Sequence, residues 1–97
     1  MTQENVQAIC DSALAKFGAE NQTRKAVEEL TELSLALQWA LAGRADMDNI
    51  REEIADVEIV INQMRKLYDT ERFTTVLTID DWKADKLYRL EKFISAQ

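Results

Sequence analysis

Two pairs of carboxylates stand out by type and spacing: Glu29 with Glu32, and Glu53 with Asp56. Residues three apart on an α-helix share a face, so each pair can grip one cation from one side. Between them lie an apolar helical run and then the break A-G-R-A-D-M-D. That break suits a turn that folds the second helix back on the first and lets the pairs meet. On a wheel of about 100° per residue, Leu33, Ala36 and Ala40 flank Glu29, while Glu53 lies between Val57 and Val60 with Ile50 and Met64 nearby. Glu53 therefore points into the apolar arc, where a charge is rare unless it is paired or bound to a metal. Glu28, Glu52 and Glu58 fall away from the acid faces and read as surface charges.

Carboxylates gathered in this way repel one another. At a separation of ~5–6 Å and an effective dielectric of ~20, any two ionised carboxylates repel by roughly 3 kcal/mol. A whole domain is stable by only about 5–15 kcal/mol. Either the groups take up protons or cations fill the site. Ligation by oxygen alone selects hard cations: Mg²⁺, Mn²⁺ or Ca²⁺. The closely spaced loop ligands of an EF-hand are absent. Mg²⁺ characteristically pairs a few carboxylates with substrate phosphates, so the pattern points to Mg²⁺, with Mn²⁺ as its substitute, at a phosphoryl-transfer or phosphate-hydrolysis site. The chain has no histidine, which removes His-based triads, His ligands and imidazole bases. Water is the remaining attacker, activated by the metal, with a spare carboxylate to take its proton.

The elements that must position these groups follow from the spacing of apolar residues. A first helix is predicted over 3–17, through Val6, Ile9, Cys10, Ala13, Leu14 and Phe17, and Gly18 fits the left-handed position that ends it. A second is predicted over 20–41, with Ala26, Leu30, Leu33, Leu37 and Leu41 as its packing stripe. Lys25 and Gln22 share the side of Glu29 and Glu32. Lys25 suits either a surface ion pair with Glu29 or a contact to ligand phosphates. Trp39, two turns beyond Glu32, either fills the core or offers a stacking surface for a base. Gly43 ends this helix, and Asp46 or Asp48 can cap a third helix that runs to about Tyr68. Residues 69–77 lack a helical period and read as an extended connection from which Arg72 could reach an anion. Thr78 with Asp81 forms a plausible capping box for a fourth helix. Its stripe is Ile79, Leu87, Leu90 and Ile94, with Lys83 and Lys86 inside the same arc. Those lysines either snorkel to solvent or face carboxylates and phosphates. Asn62 points away from the third helix's stripe and is left out of the site.

The whole pattern is an all-α single domain over residues 1–97. With no proline and two glycines the chain favours long helices. The single cysteine, Cys10, cannot form an internal disulfide and reads as a small core residue. No apolar run approaches the ~20 residues of a membrane span and no signal peptide is evident, so the expectation is a cytoplasmic protein without membrane contact. A net charge of −6 argues against a nucleic-acid surface. Divalent cations would still let an acidic chain accept a polyphosphate.

The run Gln22–x–x–Lys25–x–x–x–Glu29–x–x–Glu32, followed about twenty residues later by Glu53–x–x–Asp56–Val57, resembles the MazG-type all-α nucleoside triphosphate pyrophosphohydrolases, which carry E-E-x-x-E and then E-x-x-D. The ending W-K-A-D-K-L-Y-R-L is similar to the last helix of short MazG-like proteins of bacterial and phage genomes. The resemblance implies a four-helix core assembled as a homodimer or homotetramer, with neighbouring chains helping to complete the pocket. It implies Mg²⁺ on Glu29, Glu32, Glu53 and Asp56. It also implies hydrolysis of a (deoxy)nucleoside triphosphate to the monophosphate and pyrophosphate, by water attacking between the α and β phosphates. By the same carry-over, Lys83 and Lys86 become candidates for the phosphates. The other reading is a non-catalytic helical interaction module, or one that binds nucleotides without turnover. It would use the same amphipathic stripes and leave the acids as solvated rims.

Overall fold

The computed structural model describes residues 1–69 and 77–97. The described residues form four α-helices and no strand: α1 (Gln3–Phe17), α2 (Ala19–Leu41), α3 (Met47–Tyr68) and α4 (Ile79–Ser95). The connection read from residues 69–77, and Arg72 within it, fall largely on residues 70–76 and so lie outside the described residues.

Each helix starts and stops where local chemistry requires. Thr2 caps α1 by accepting from the Asn5 amide, and Asp46, of the two aspartates considered, caps α3 by accepting from the Asn49 amide. Gly18 separates α1 from α2 with φ 88° and ψ 157°. Its φ is positive, as expected, but its ψ is extended rather than left-handed helical, a region that essentially only glycine enters. α2 thereby begins directly after Gly18, without an intervening loop. α2 ends in a double closure: the Gly43 amide donates to the Ala40 carbonyl at 3.1 Å and the Arg44 amide to the Trp39 carbonyl at 2.9 Å. Gly43, at φ 83°, supplies the positive φ that this motif needs.

The short break after Leu41 makes α2 and α3 an antiparallel pair. The side-chain amide of Gln22, early in α2, donates to the Gln63 side chain, late in α3, at 2.6 Å. α1 leans on this pair, with the Cys10 thiol against the Ile59 carbonyl at 3.9 Å. Small residues occupy the seam: Cys10, Ala26, Ala36 and Val60 are the buried apolar side chains of the described residues. Cys10 is thus the core residue expected, and burial raises its thiol pKa.

α4 stands differently from the expected four-helix core. It begins beside the end of α3, where the Ile79 amide donates to Asp69 at 3.0 Å and Arg65 pairs with Asp80. Beyond that none of its residues is buried. The packed unit of the described residues is α1, α2 and α3, because the stripe of α4 finds no facing stripe among them. No helix of the described residues is long and apolar enough to cross a membrane.

Candidate metal centre

The antiparallel pairing brings the two acidic motifs to one level. Glu29 of α2 and Glu53 and Asp56 of α3 each offer a carboxylate oxygen, and these oxygens lie within 4.8 Å of one another. Glu29 is only 5 % exposed. One oxygen of Glu29 and one of Glu53 are buried with no hydrogen-bond partner among the described residues. A buried unpartnered carboxylate oxygen is costly, and two of them side by side are a fitting place for a cation.

Glu32 stands at the edge rather than in this triad. It lies close enough to Glu53 to act on its ionisation. Burial pushes the Glu53 carboxyl above its ordinary range, and the charges of Glu32, Asp56 and Glu29, in that order, push it further in the same direction. A neutral or metal-bound Glu53 relieves that repulsion; a free carboxylate does not.

On one side of the triad Lys25 extends its ammonium to Glu29 at 3.0 Å and to Glu28 at 3.8 Å. The hydrogen bond to Glu29, aided by the charge of Glu28, holds Lys25 above the usual lysine range. The ion pair expected from the i, i+4 spacing is therefore present. The same rim holds Gln22 and Gln63 in a small cleft with Glu29 and Asp56. On the other side a hollow of about 220 Å³ is lined by Glu32, Glu53, Leu35, Trp39, Arg44 and Asn49, among others. Trp39 is 52 % exposed, so it does not fill the core. Its ring is a wall of this hollow.

Lys83 and Lys86 are not brought to the acids. They line a groove along α4 with Ile79, Trp82, Leu87 and Leu90, and no carboxylate of the triad lines that groove. Asn62 stays out of the triad, as expected, although its side-chain oxygen is buried without a partner. Two polar contributors escaped the sequence reading. Gln63 follows Asp56 by two helical turns, and Asn49 precedes Glu53 by one, so both share the acidic face of α3. That face periodicity was the available signal.

No protein-family model, no curated protein and no solved structure matches this chain.

Proposed function

We propose that this chain hydrolyses a nucleoside triphosphate to the monophosphate and pyrophosphate with the help of Mg²⁺. The observation that supports this reading is the triad of Glu29, Glu53 and Asp56, with oxygens within 4.8 Å of one another and two buried oxygens left without partners. An all-oxygen donor set of this kind fits a hard cation. The fit rests on the chemistry of those groups and on the motif spacing that resembles the MazG-type enzymes.

Glu29, Glu53 and Asp56 would hold the metal, and Glu32 stands beside Glu53. When bound, Mg²⁺ neutralises polyphosphate charge and makes water a better nucleophile. The remaining work falls to the side chains. Glu32, outside the triad but beside Glu53, takes the proton of the attacking water. That water forms the new bond to the α-phosphorus as the bond to the bridging oxygen breaks, and pyrophosphate leaves with that oxygen. Lys25, at the rim on Glu29, turns to the phosphates as they enter. Trp39 and Leu35 wall the adjoining hollow and take the base, with Trp39 stacking on its face.

The test is pyrophosphate release across a set of triphosphates, with and without Mg²⁺. Glu53→Gln keeps the shape of the side chain and removes its charge. Turnover is expected to fall by ~10² or more, in the range of lost acid–base and metal assistance, while the circular dichroism spectrum is unchanged. Turnover at the wild-type rate would show that Glu53 has no part in the reaction.

A further inference from the structure

We infer that Lys25 is a tethered counter-ion of the carboxylate cluster: it competes with a divalent cation for Glu29, and binding of the cation sets it free. Such a role rests on the proposed metal site and adds an order to it. Lys25 becomes available to phosphates only once the cation is in place.

Lys25 is singled out by its contacts. Its ammonium lies 3.0 Å from Oε1 of Glu29. Among the described residues no other cationic side chain forms a salt bridge with Glu29, Glu32, Glu53 or Asp56. One positive charge therefore serves three carboxylates whose oxygens lie within 4.8 Å of one another. The second oxygen of Glu29 and one of Glu53 are buried with no hydrogen-bond partner among the described residues. A single ammonium thus satisfies one oxygen of the cluster and leaves the rest to repel.

The two ends of this ion pair are held differently. Glu29 is buried. The Lys25 side chain is 49 % exposed, and it carries a compact, strongly hydrated charge on a flexible four-carbon stem. The pair can open by movement of Lys25 alone, with no change in the helices. A divalent cation binds several carboxylate oxygens at once, so it gains Glu53 and Asp56, with which Lys25 forms no salt bridge. Two positive charges at one carboxylate repel each other. Whatever Lys25 takes from the affinity of the cation, the cation takes from the hold of Lys25 on Glu29. Lys25 also lines the cleft that holds Gln22 and Gln63. The freed ammonium therefore stays at the edge of the cluster, where phosphates on the cation would meet it.

Mn²⁺ titration of the full chain without nucleotide, followed by the relaxation of water protons, tests the competition. Lys25→Met should tighten Mn²⁺ binding by roughly tenfold, within the span of coupling between linked sites. Lys25→Arg keeps the charge and should bind Mn²⁺ as the wild type does. Arg24→Met removes the same charge one residue away, where Arg24 pairs with Glu20 at 2.7 Å, and should change nothing. In the wild type, saturating Mg²⁺ should speed chemical acetylation of Lys25 severalfold, as read by peptide mass spectrometry, and leave that of Lys16 unchanged. The labelling needs no variant, so it decides the matter if Lys25→Met loses its helices. Equal Mn²⁺ affinity in the wild type and Lys25→Met overturns the competition and leaves the metal site standing. So does labelling of Lys25 that ignores Mg²⁺ while Mn²⁺ binds. An equal gain of affinity in Arg24→Met overturns it too, since overall charge would then account for the effect. Failure of every form of the chain to bind Mn²⁺ removes the metal site and the role of Lys25 together.

Discussion

Glu53 is the residue at which the sequence places charge where folding alone would not. Its carboxyl binds a proton more tightly in the folded chain, because burial and then Glu32, Asp56 and Glu29 act against its ionised form. The sign of the pH effect follows from linkage. Stability from this group is fully present below the ordinary carboxyl value of 4.5 and is lost as pH rises through the higher folded value. At neutral pH without metal, the ionised form is a burden on the fold. Glu53→Gln should therefore melt at a higher temperature than the wild type in chelator at pH 7. That gap should narrow on acidification towards pH 4.5. Added Mg²⁺ should raise the melting temperature of the wild type and leave the variant little changed. Thermal melts followed by circular dichroism at several pH values check each part. A wild type that melts above Glu53→Gln without metal would mean that its carboxylates do not repel as their spacing implies.

At the scale of elements, α4 is the helix whose formation depends most on its own cap. It buries no side chain, and isolated helices of its length are marginal in water. Thr78 Oγ1 accepts from the Asp81 amide at 3.1 Å, and the Asp81 carboxylate accepts from the Thr78 amide at 2.9 Å. Removing a cap of this type costs about 1 kcal/mol. Thr78→Ala should thus lower the ratio of helical to unwound α4 about fivefold and leave the packing of α1, α2 and α3 intact, as read from amide exchange over residues 79–95. The backbone hydrogen bond with Thr78, then the side-chain one, holds the Asp81 carboxyl below its ordinary range. The cap is therefore at full strength above the ordinary value of 3.8 and is lost as pH falls through the lower folded value. The same amide signals should report this loss in acid, and in Thr78→Ala as well, because the backbone amide of residue 78 still donates to Asp81.

These caps explain why so much was legible. Asp46, Thr78 and Gly43 are local signals, and local signals set the ends of α1 to α4 nearly to the residue. The meeting of Glu29 with Glu53 and Asp56 was legible as well, since a short break forces antiparallel helices and equal levels follow. The arc of α4 was different. Apolar periodicity says which residues need cover, but not what covers them: the resemblance implies a four-helix core assembled from more than one chain, and among the described residues α4 buries no side chain. Trp39 shows the same limit. Its position beside the carboxylate edge was readable, but its exposure depended on Leu35, Arg44 and Asn49 opening a hollow next to it. Gln63 was overlooked because an amide gives no charge pattern, although its partner Gln22 lies at the matching level across the pair.

The whole molecule must reconcile a thin interior with apolar side chains left bare. Leu37 and Ile61 are 45 % and 39 % exposed, while the buried apolar positions are filled by small side chains. If two copies cover them, as the homodimer implied by the resemblance would, folding and association are one equilibrium, and the melting temperature must depend on protein concentration. Each tenfold rise in concentration then adds RT ln 10, about 1.4 kcal/mol per pair, and for a paired unit of this size 1 kcal/mol moves the midpoint by roughly 2–4 °C. The wild type should melt about 3–6 °C higher for every tenfold increase, and Ile61→Asp should show no such slope. Differential scanning calorimetry at three concentrations reads this directly. A midpoint independent of concentration would mean that one chain holds its three packed helices together alone, and that these side chains stay open to water.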